Sequence, residues 1–296
     1  MKIKCHMIDD NHTVIGSPAF PRQVWDNHYF CDQDRFVFYY FISIPLLMLR
    51  DIALVKLNLQ QVNKKEDEFI REVIADFWIC CVSREASILG RKEVLSGKAK
   101  FGIVGDGKEV PQVALARSFQ KGDWRSGYYR DQTWMFASGI SSVEDFFAQL
   151  YADTANDPFS GGRQMNCHFA TPVIDKNGNW LPQDNRYNVS ADISSTGGQM
   201  ARAVGIAQAS TWYRHHAELG RQMQMSQDGN EVCFVTIGDA STSEGVFWEA
   251  INAAAVIKAP MAVSVWDDGY GISVPTALQT TKQSISRLLE GFHIDE

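Results

Sequence analysis

The chain has 296 residues, 45% hydrophobic and 21% charged, a globular composition that can bury one substantial core and excludes global disorder. Lys and Arg number 28 against 35 Asp and Glu, and the net charge of −7 disfavours a general grip on nucleic acid or an anionic membrane. The six cysteines (Cys5, Cys31, Cys80, Cys81, Cys167, Cys233) form no CxxC pair, which points to buried thiols in a reducing, cytoplasmic setting and away from disulfides and structural zinc.

The opening "MKIKCHMIDDNH" is polar and does not read as a secretory signal. The run "FVFYYFISIPLLML" (Phe36 to Leu49) is short of the ~20 residues needed to span a bilayer and carries Pro45. It is open between a buried segment, an interfacial anchor and translated upstream sequence outside the fold. Residues 1–62 are read as an N-terminal extension, and residues 63–296 as the domain. From Lys64 a helix is predicted, with Phe69, Val73, Phe77, Cys80 and Cys81 at helical intervals and Gly97 as its stop. In "SSVEDFFAQLYAD", Ser141 and Glu144 have capping-box spacing, and Phe146, Phe147, Leu150 and Tyr151 make an apolar face. The stretch from Asp157 to Asp192 is long, irregular and rich in Gly, Pro and Asn, a pattern typical of active-site loops.

Next, "SSTGGQMARAVGIAQASTWYRHHAEL" predicts one helix entered through Gly197 and Gly198, with Met200, Ala203, Val204, Ala207 and Trp212 spaced for burial. A turn at Asp228 to Asn230 leads into "EVCFVTIGD", an apolar β-branched run suited to a strand buried on both faces. Ser241 and Glu244 have the spacing to cap a helix that presents Phe247, Ala250, Ile251, Ala254 and Ile257. "MAVSVWDD" is the following strand, so the unit is βαβ, and the fold class is α/β, a mostly parallel sheet with helices on both faces.

Ligands of open parallel sheets sit beyond the carboxyl ends of the strands, where Asp239 and the Asp267-Asp268 pair fall. Converging strand-end carboxylates suit a hard cation such as Mg²⁺, and the Ser241-Thr242-Ser243 helix start offers N–H groups and hydroxyls to an anion such as diphosphate. These residues can equally end strands and form turns. "GIVGDG" lacks GxGxxG spacing and no GxxxxGK[ST] occurs, which disfavours a nucleotide-binding oxidoreductase.

"GDASTSEGVFWEAINAAAVIKAPMAVSVWDDGYGISVP" resembles the thiamine diphosphate signature of alpha subunits of 2-oxo acid dehydrogenase E1 components. "GDGKEVPQVALARSFQKGDWRSGYYRDQ", "DPFSGGRQMNCHF" and "SSTGGQMARAVGIA" fall in that family's order. The resemblance implies a thiamine diphosphate-binding fold and oxidative decarboxylation of a 2-oxo acid. It also implies acyl transfer to lipoyl groups and, as partners, an E1 beta part and a lipoyl-bearing E2 acyltransferase. It assigns Tyr129 and Arg130 to the diphosphate, and places the Ser194 to Thr196 backbone, Ala240 and Ser241 against the cofactor. Mg²⁺ falls to Asp239, Asp268 and the carbonyl of Tyr270, and His168 to the substrate end of the pocket. Ala240 and Asp268 depart from the family's Gly-Asp-Gly and Asn-Asn; a positive φ at Ala240 would be strained, and Asp268 adds a negative charge. Ile103, where pyruvate-specific relatives carry histidine, and "SGGRQM" lean toward 2-oxoisovalerate and its kin. The sequence stops early for a family alpha subunit, so the chain is expected to be truncated and inactive alone. The rival expectation is a non-catalytic subunit that keeps the fold and partner interface.

Overall fold

The computed structural model describes residues 64–292; the extension, the apolar run from Phe36 to Leu49, Cys5 and Cys31 lie outside the described residues. Among the described residues no helix is long and apolar enough to cross a membrane.

The first helix, α1 (Lys64–Leu95), ends just before Gly97, whose φ of +77° suits glycine. Its buried side differs from the expected stripe: Phe69 and Val73 are about half exposed, and burial begins at Cys80. The buried seam is small and polar instead. Ser83 Oγ lies 2.7 Å from Thr133 Oγ1, and Gln132 Nε2 donates to the Ser83 carbonyl at 2.9 Å. Hydrogen bonds satisfy these groups where an apolar stripe would otherwise do the packing, so periodicity alone does not mark the packed face.

After α2 (Glu109–Ser118), β1 (Trp124–Ser126) and α3 (Gln132–Ala137) comes α4 (Val143–Leu150). Its capping box forms one residue later than expected. Ser142 Oγ accepts from the Asp145 N–H at 3.1 Å, and the Asp145 carboxylate accepts from the Ser142 N–H at 2.8 Å. Ser141 and Glu144 have the same spacing, but Ser141 is buried and its hydroxyl donates to the Ser142 carbonyl. Ser142→Ala is expected to cost about 1 kcal/mol in urea unfolding, whereas Ser141→Ala leaves the cap intact. A reversed order of the two would contradict this assignment. Of the expected apolar face, Phe146 and Leu150 are buried and Tyr151 is 47% exposed.

The irregular stretch contains the short strand β2 (Asn188–Val189). The single long helix expected next is divided at His216, with φ −130° and ψ 44°, into α5 (Gly198–His215) and α6 (Ala217–Gln222). Met200, Ala203 and Ala207 are fully buried, but Trp212 is 45% exposed and packs on His216, ring centroids 4.1 Å apart. Then β3 (Cys233–Gly238), α7 (Gly245–Ile257) and β4 (Met261–Trp266) form the βαβ unit. A 3₁₀ turn, Ala240–Ser243, intervenes before α7, so the Ser241/Glu244 box does not form. Glu244 takes the N-cap position without a side-chain bond, its N–H donating to the Ser241 carbonyl at 3.1 Å. Ile257, expected on the packed side, is 40% exposed. A hairpin, β5 (Tyr270–Gly271) and β6 (Val274–Pro275), and α8 (Ile285–Leu289) follow.

The sheet order is β2-β1-β3-β4, every pair parallel, with Val235 opposite Val263. All six β3 residues are buried, and their alternation divides the core. Phe234 packs with Phe119, Trp134, Phe146 and Phe169 on one face. Cys233, Val235 and Ile237 pack with Met200, Ala203, Phe247 and Ile251 on the other. The expected α/β architecture with helices on both faces is therefore present.

Candidate functional site

Every candidate residue except His168 lies on a segment leaving the carboxyl end of a strand. Tyr129 and Arg130 follow β1, Ser194 and Thr196 follow β2, Asp239, Ala240 and Ser241 follow β3, and Asp268 and Tyr270 follow β4. Parallel pairing brings these four ends to one edge of the sheet. The segments then meet. Gly197 lies against the start of α7, where a Cβ would stand 3.0 Å from Val246 Cγ1 and 3.5 Å from Glu244 Cβ. Gly271 closes over Ala240, and a Cβ at 271 would stand 2.7 Å from the Ala240 methyl.

That contact resolves the first departure. Ala240 sits in the 3₁₀ turn and is absent from the positive-φ residues, so the strain expected at this position does not arise. Its extra methyl is accommodated by the missing side chain at Gly271.

Asp239 is 5% exposed, and its carboxyl is pushed up to about 6. Burial is the main cause, followed by the negative charges of Asp267 and Asp268, while the Ala240 N–H pulls the other way. The strand ends thus hold negative charge that the surrounding donors do not fully compensate. Its carbonyl accepts from Thr242 Oγ1 at 2.6 Å and Gln279 Nε2 at 3.2 Å, which fixes the turn. Asp267 Oδ1 accepts from the Gly269 N–H and Asp268 Oδ1 from the Tyr270 N–H, at 2.9 and 3.3 Å.

The hairpin register places the Tyr270 carbonyl. The Thr276 N–H donates to Gly269 O at 2.9 Å, so 269 and 276 are a bonded pair, and Tyr270 opposite Pro275 is a non-bonded one. The backbone groups of Tyr270 therefore point out of the ladder, on the edge where its N–H meets Asp268. Two carboxylates and an outward carbonyl are hard oxygen donors, so the residues fit a small divalent cation that keeps part of its water shell. Among the described residues no group of three or more His, Cys, Asp or Glu side chains forms a cation site by itself.

After β1, Arg130 Nη1 donates to the Val104 carbonyl at 3.3 Å, and its guanidinium stacks over Tyr129 at 5.3 Å. Burial favours the neutral form of Arg130, but the Tyr128 and Tyr129 hydroxyls and the Asp268 charge outweigh it. Gly105 must be glycine here, because a Cβ would stand 2.5 Å from the Arg130 carbonyl oxygen. A cationic, half-buried guanidinium that feels the Asp268 charge suits an anion that bridges to a bound cation.

His168 is 2% exposed, and the structure joins it to another candidate. Its Nδ1 lies 3.2 Å from the Asn166 carbonyl and its Nε2 3.0 Å from Ser194 Oγ. A carbonyl only accepts, so Nδ1 carries a proton, and a neutral ring accepts the Ser194 hydroxyl at Nε2. Ser194 and Thr196 are exposed on the rim. Asn166 also grips the Ile103 backbone, its Oδ1 accepting from the Ile103 N–H at 2.9 Å and its Nδ2 donating to the Ile103 carbonyl. The irregular stretch thereby brings His168 and residue 103 to the same neighbourhood.

Two features were not legible from motifs. Lys108 Nζ lies 3.0 Å from Asp268 Oδ2, across 160 residues of sequence. A buried network beneath the site centres on Asp131, whose Oδ2 accepts from Arg125 Nε and Nη2 at 2.9 and 2.7 Å and from Thr236 Oγ1. Asp131 Oδ1 accepts from Trp266 Nε1 at 2.9 Å. The pairing of Arg125 on β1 with Asp192 past β2 completes a tie across all four strands.

Residues 79–295 match the dehydrogenase E1 component family. The chain is 33% identical over 198 residues to the 2-oxoisovalerate dehydrogenase subunit alpha of Bacillus subtilis (strain 168), covering 67% of this chain and 51% of that protein. It is 28% identical over 183 residues to the mitochondrial 2-oxoisovalerate dehydrogenase subunit alpha of Caenorhabditis elegans, 62% of this chain and 36% of that one. Against the pyruvate dehydrogenase E1 component subunit alpha of Acholeplasma laidlawii the identity is 23% over 232 residues, 78% of this chain and 56% of that one. The matches span about half or less of each of the first two relatives. With a four-stranded parallel sheet gathering the motif segments at one edge and most of its length matched, the chain belongs to the dehydrogenase E1 component family.

Proposed function

We propose that the chain is the alpha part of a thiamine diphosphate-dependent 2-oxo acid dehydrogenase, working with a beta part and a lipoyl-bearing acyltransferase. The observation that carries this reading is the Asp239 carboxylate, buried at the end of β3 and acted on by Asp267 and Asp268, with the Arg130 guanidinium in turn feeling the Asp268 charge. Asp239, Asp268 and the Tyr270 carbonyl would hold Mg²⁺, and Arg130 with Tyr129 would hold the diphosphate. When bound, thiamine diphosphate supplies an electron sink for decarboxylation. The chain's own residues anchor the charged end, and His168, held by Asn166 and Ser194, keeps a fixed ring orientation near the substrate.

A branched-chain 2-oxo acid is the favoured substrate, with pyruvate second. Ile103 puts an apolar side chain on the segment clamped by Asn166, and the relatives at 33% and 28% identity are named for 2-oxoisovalerate. Reconstitution with the beta subunit of a related branched-chain enzyme, assayed with an artificial electron acceptor, tests this. Turnover is expected only with the beta subunit, and kcat/KM should favour 2-oxoisovalerate over pyruvate by about tenfold, the discrimination one or two methylenes supply. An assembled complex inactive on both acids would contradict the reading.

A further inference from the structure

Lys108 holds the N-cap position of α2, where the positive end of the helix dipole disfavours a cation, and its side chain makes no cap bond. It is nevertheless largely enclosed, at 12% side-chain exposure, with its Nζ on Asp268 Oδ2 at 3.0 Å. The neighbouring Glu109 does not compete for it, because its oxygens accept from Arg84 at 2.6 and 2.9 Å and from the Gly107 N–H. Asp268 therefore pairs with Lys108, and its charge is felt by the cationic Arg130 and by the buried Asp239 carboxylate.

We propose that Lys108 is a built-in counter-ion that competes with the divalent cation for Asp268. The inference rests on the functional reading above and deepens it. Asp268 carries the charge that Lys108 neutralises, so the pair adds no net charge to the site. A cation arriving alone must displace the ammonium or approach against its repulsion, which at this separation is substantial even in a screened environment. A cation arriving with an anionic diphosphate gives the ammonium a second partner. Metal and diphosphate binding are thereby coupled, and each should strengthen the other by the same factor.

Mn²⁺ binding to the full chain with a related beta subunit present, followed by electron paramagnetic resonance with and without thiamine diphosphate, tests this. Lys108→Gln should tighten Mn²⁺ alone by about tenfold and shrink the enhancement that thiamine diphosphate gives, while Lys108→Arg stays near the parent. Asp268→Asn should weaken Mn²⁺, and in its background Lys108→Gln should change the affinity by less than about twofold. An unchanged or weakened Mn²⁺ affinity in Lys108→Gln, or an equal gain with Asp268 already replaced, would overturn the proposal. Tightened Mn²⁺ with no thiamine diphosphate bound by any variant would sink the functional reading and leave the competition for Asp268 standing.

Discussion

Replacing Asp131 with Ala is expected to be among the most destabilising single changes in the chain, lowering the unfolding free energy by about 3–5 kcal/mol. Its side chain is fully buried, and so is that of Arg125. Removing the carboxylate leaves the Arg125 guanidinium with Asp192 and the Tyr128 carbonyl, its Nε without an acceptor, and strips Thr236 Oγ1, Trp266 Nε1 and the Tyr128 N–H of theirs. Each buried donor left unpaired costs about 1–3 kcal/mol, against a total stability of about 5–15 kcal/mol for an ordinary domain. The consequence reaches the site, because Asp131 fixes the backbone turn that carries Tyr129 and Arg130. Urea unfolding followed by circular dichroism measures the loss, and a change under about 1 kcal/mol would show that the network is not what holds the strand ends together.

Asp239→Asn is expected to have two effects of opposite sign: loss of Mg²⁺-dependent cofactor binding and a gain in stability of the unliganded chain. In the folded chain Asp239 titrates at about 6, above the ordinary Asp value of about 3.9. The native state therefore holds this proton more tightly than the unfolded state, and Asp239 makes the chain less stable as pH rises from about 4 to about 6. Above that window the penalty is full; below it, absent. Asn cannot ionise, so the variant should lose this component of the pH dependence and be more stable than the parent at pH 7.5 in EDTA. Urea midpoints at pH 4.5, 5.5, 6.5 and 7.5 for both proteins decide it, and parallel profiles would refute the assignment. Mg²⁺ should restore stability to the parent at pH 7.5 and much less at pH 5, since protonation removes the ligand.

The parallel βαβ unit was legible because β3 is a continuous apolar run of strand length and α7 keeps helical spacing, both strong local signals. Asp239 and Asp268 could be placed at strand ends for the same reason. What escaped was set by tertiary contacts. The Ser141/Glu144 and Ser142/Asp145 pairs have identical spacing, and only the burial of Ser141 decides between them. The turn after Asp239 could not be told from the start of α7, since the two share residue types and differ in whether the Glu244 N–H meets Ser241. Lys108 and Asp131 fall within the quoted segment from Gly105 to Gln132, but nothing in its pattern gives them a role; their roles come from partners 160 and 135 residues away. Ala240 looked strained because the sequence does not disclose that it enters a 3₁₀ turn without a positive φ, or that Gly271 leaves room for its methyl.

Calorimetric titration of thiamine diphosphate into the full chain, with a related beta subunit present, reaches the central claim most directly when run with Mg²⁺ and with EDTA. Asp239 and Asp268 as a cation clamp predict binding that requires Mg²⁺ and weakens by about 100-fold or more in Asp239→Asn, in line with loss of a charged ligand to a buried ion. Equal affinity in EDTA, or equal affinity of parent and variant, would contradict it.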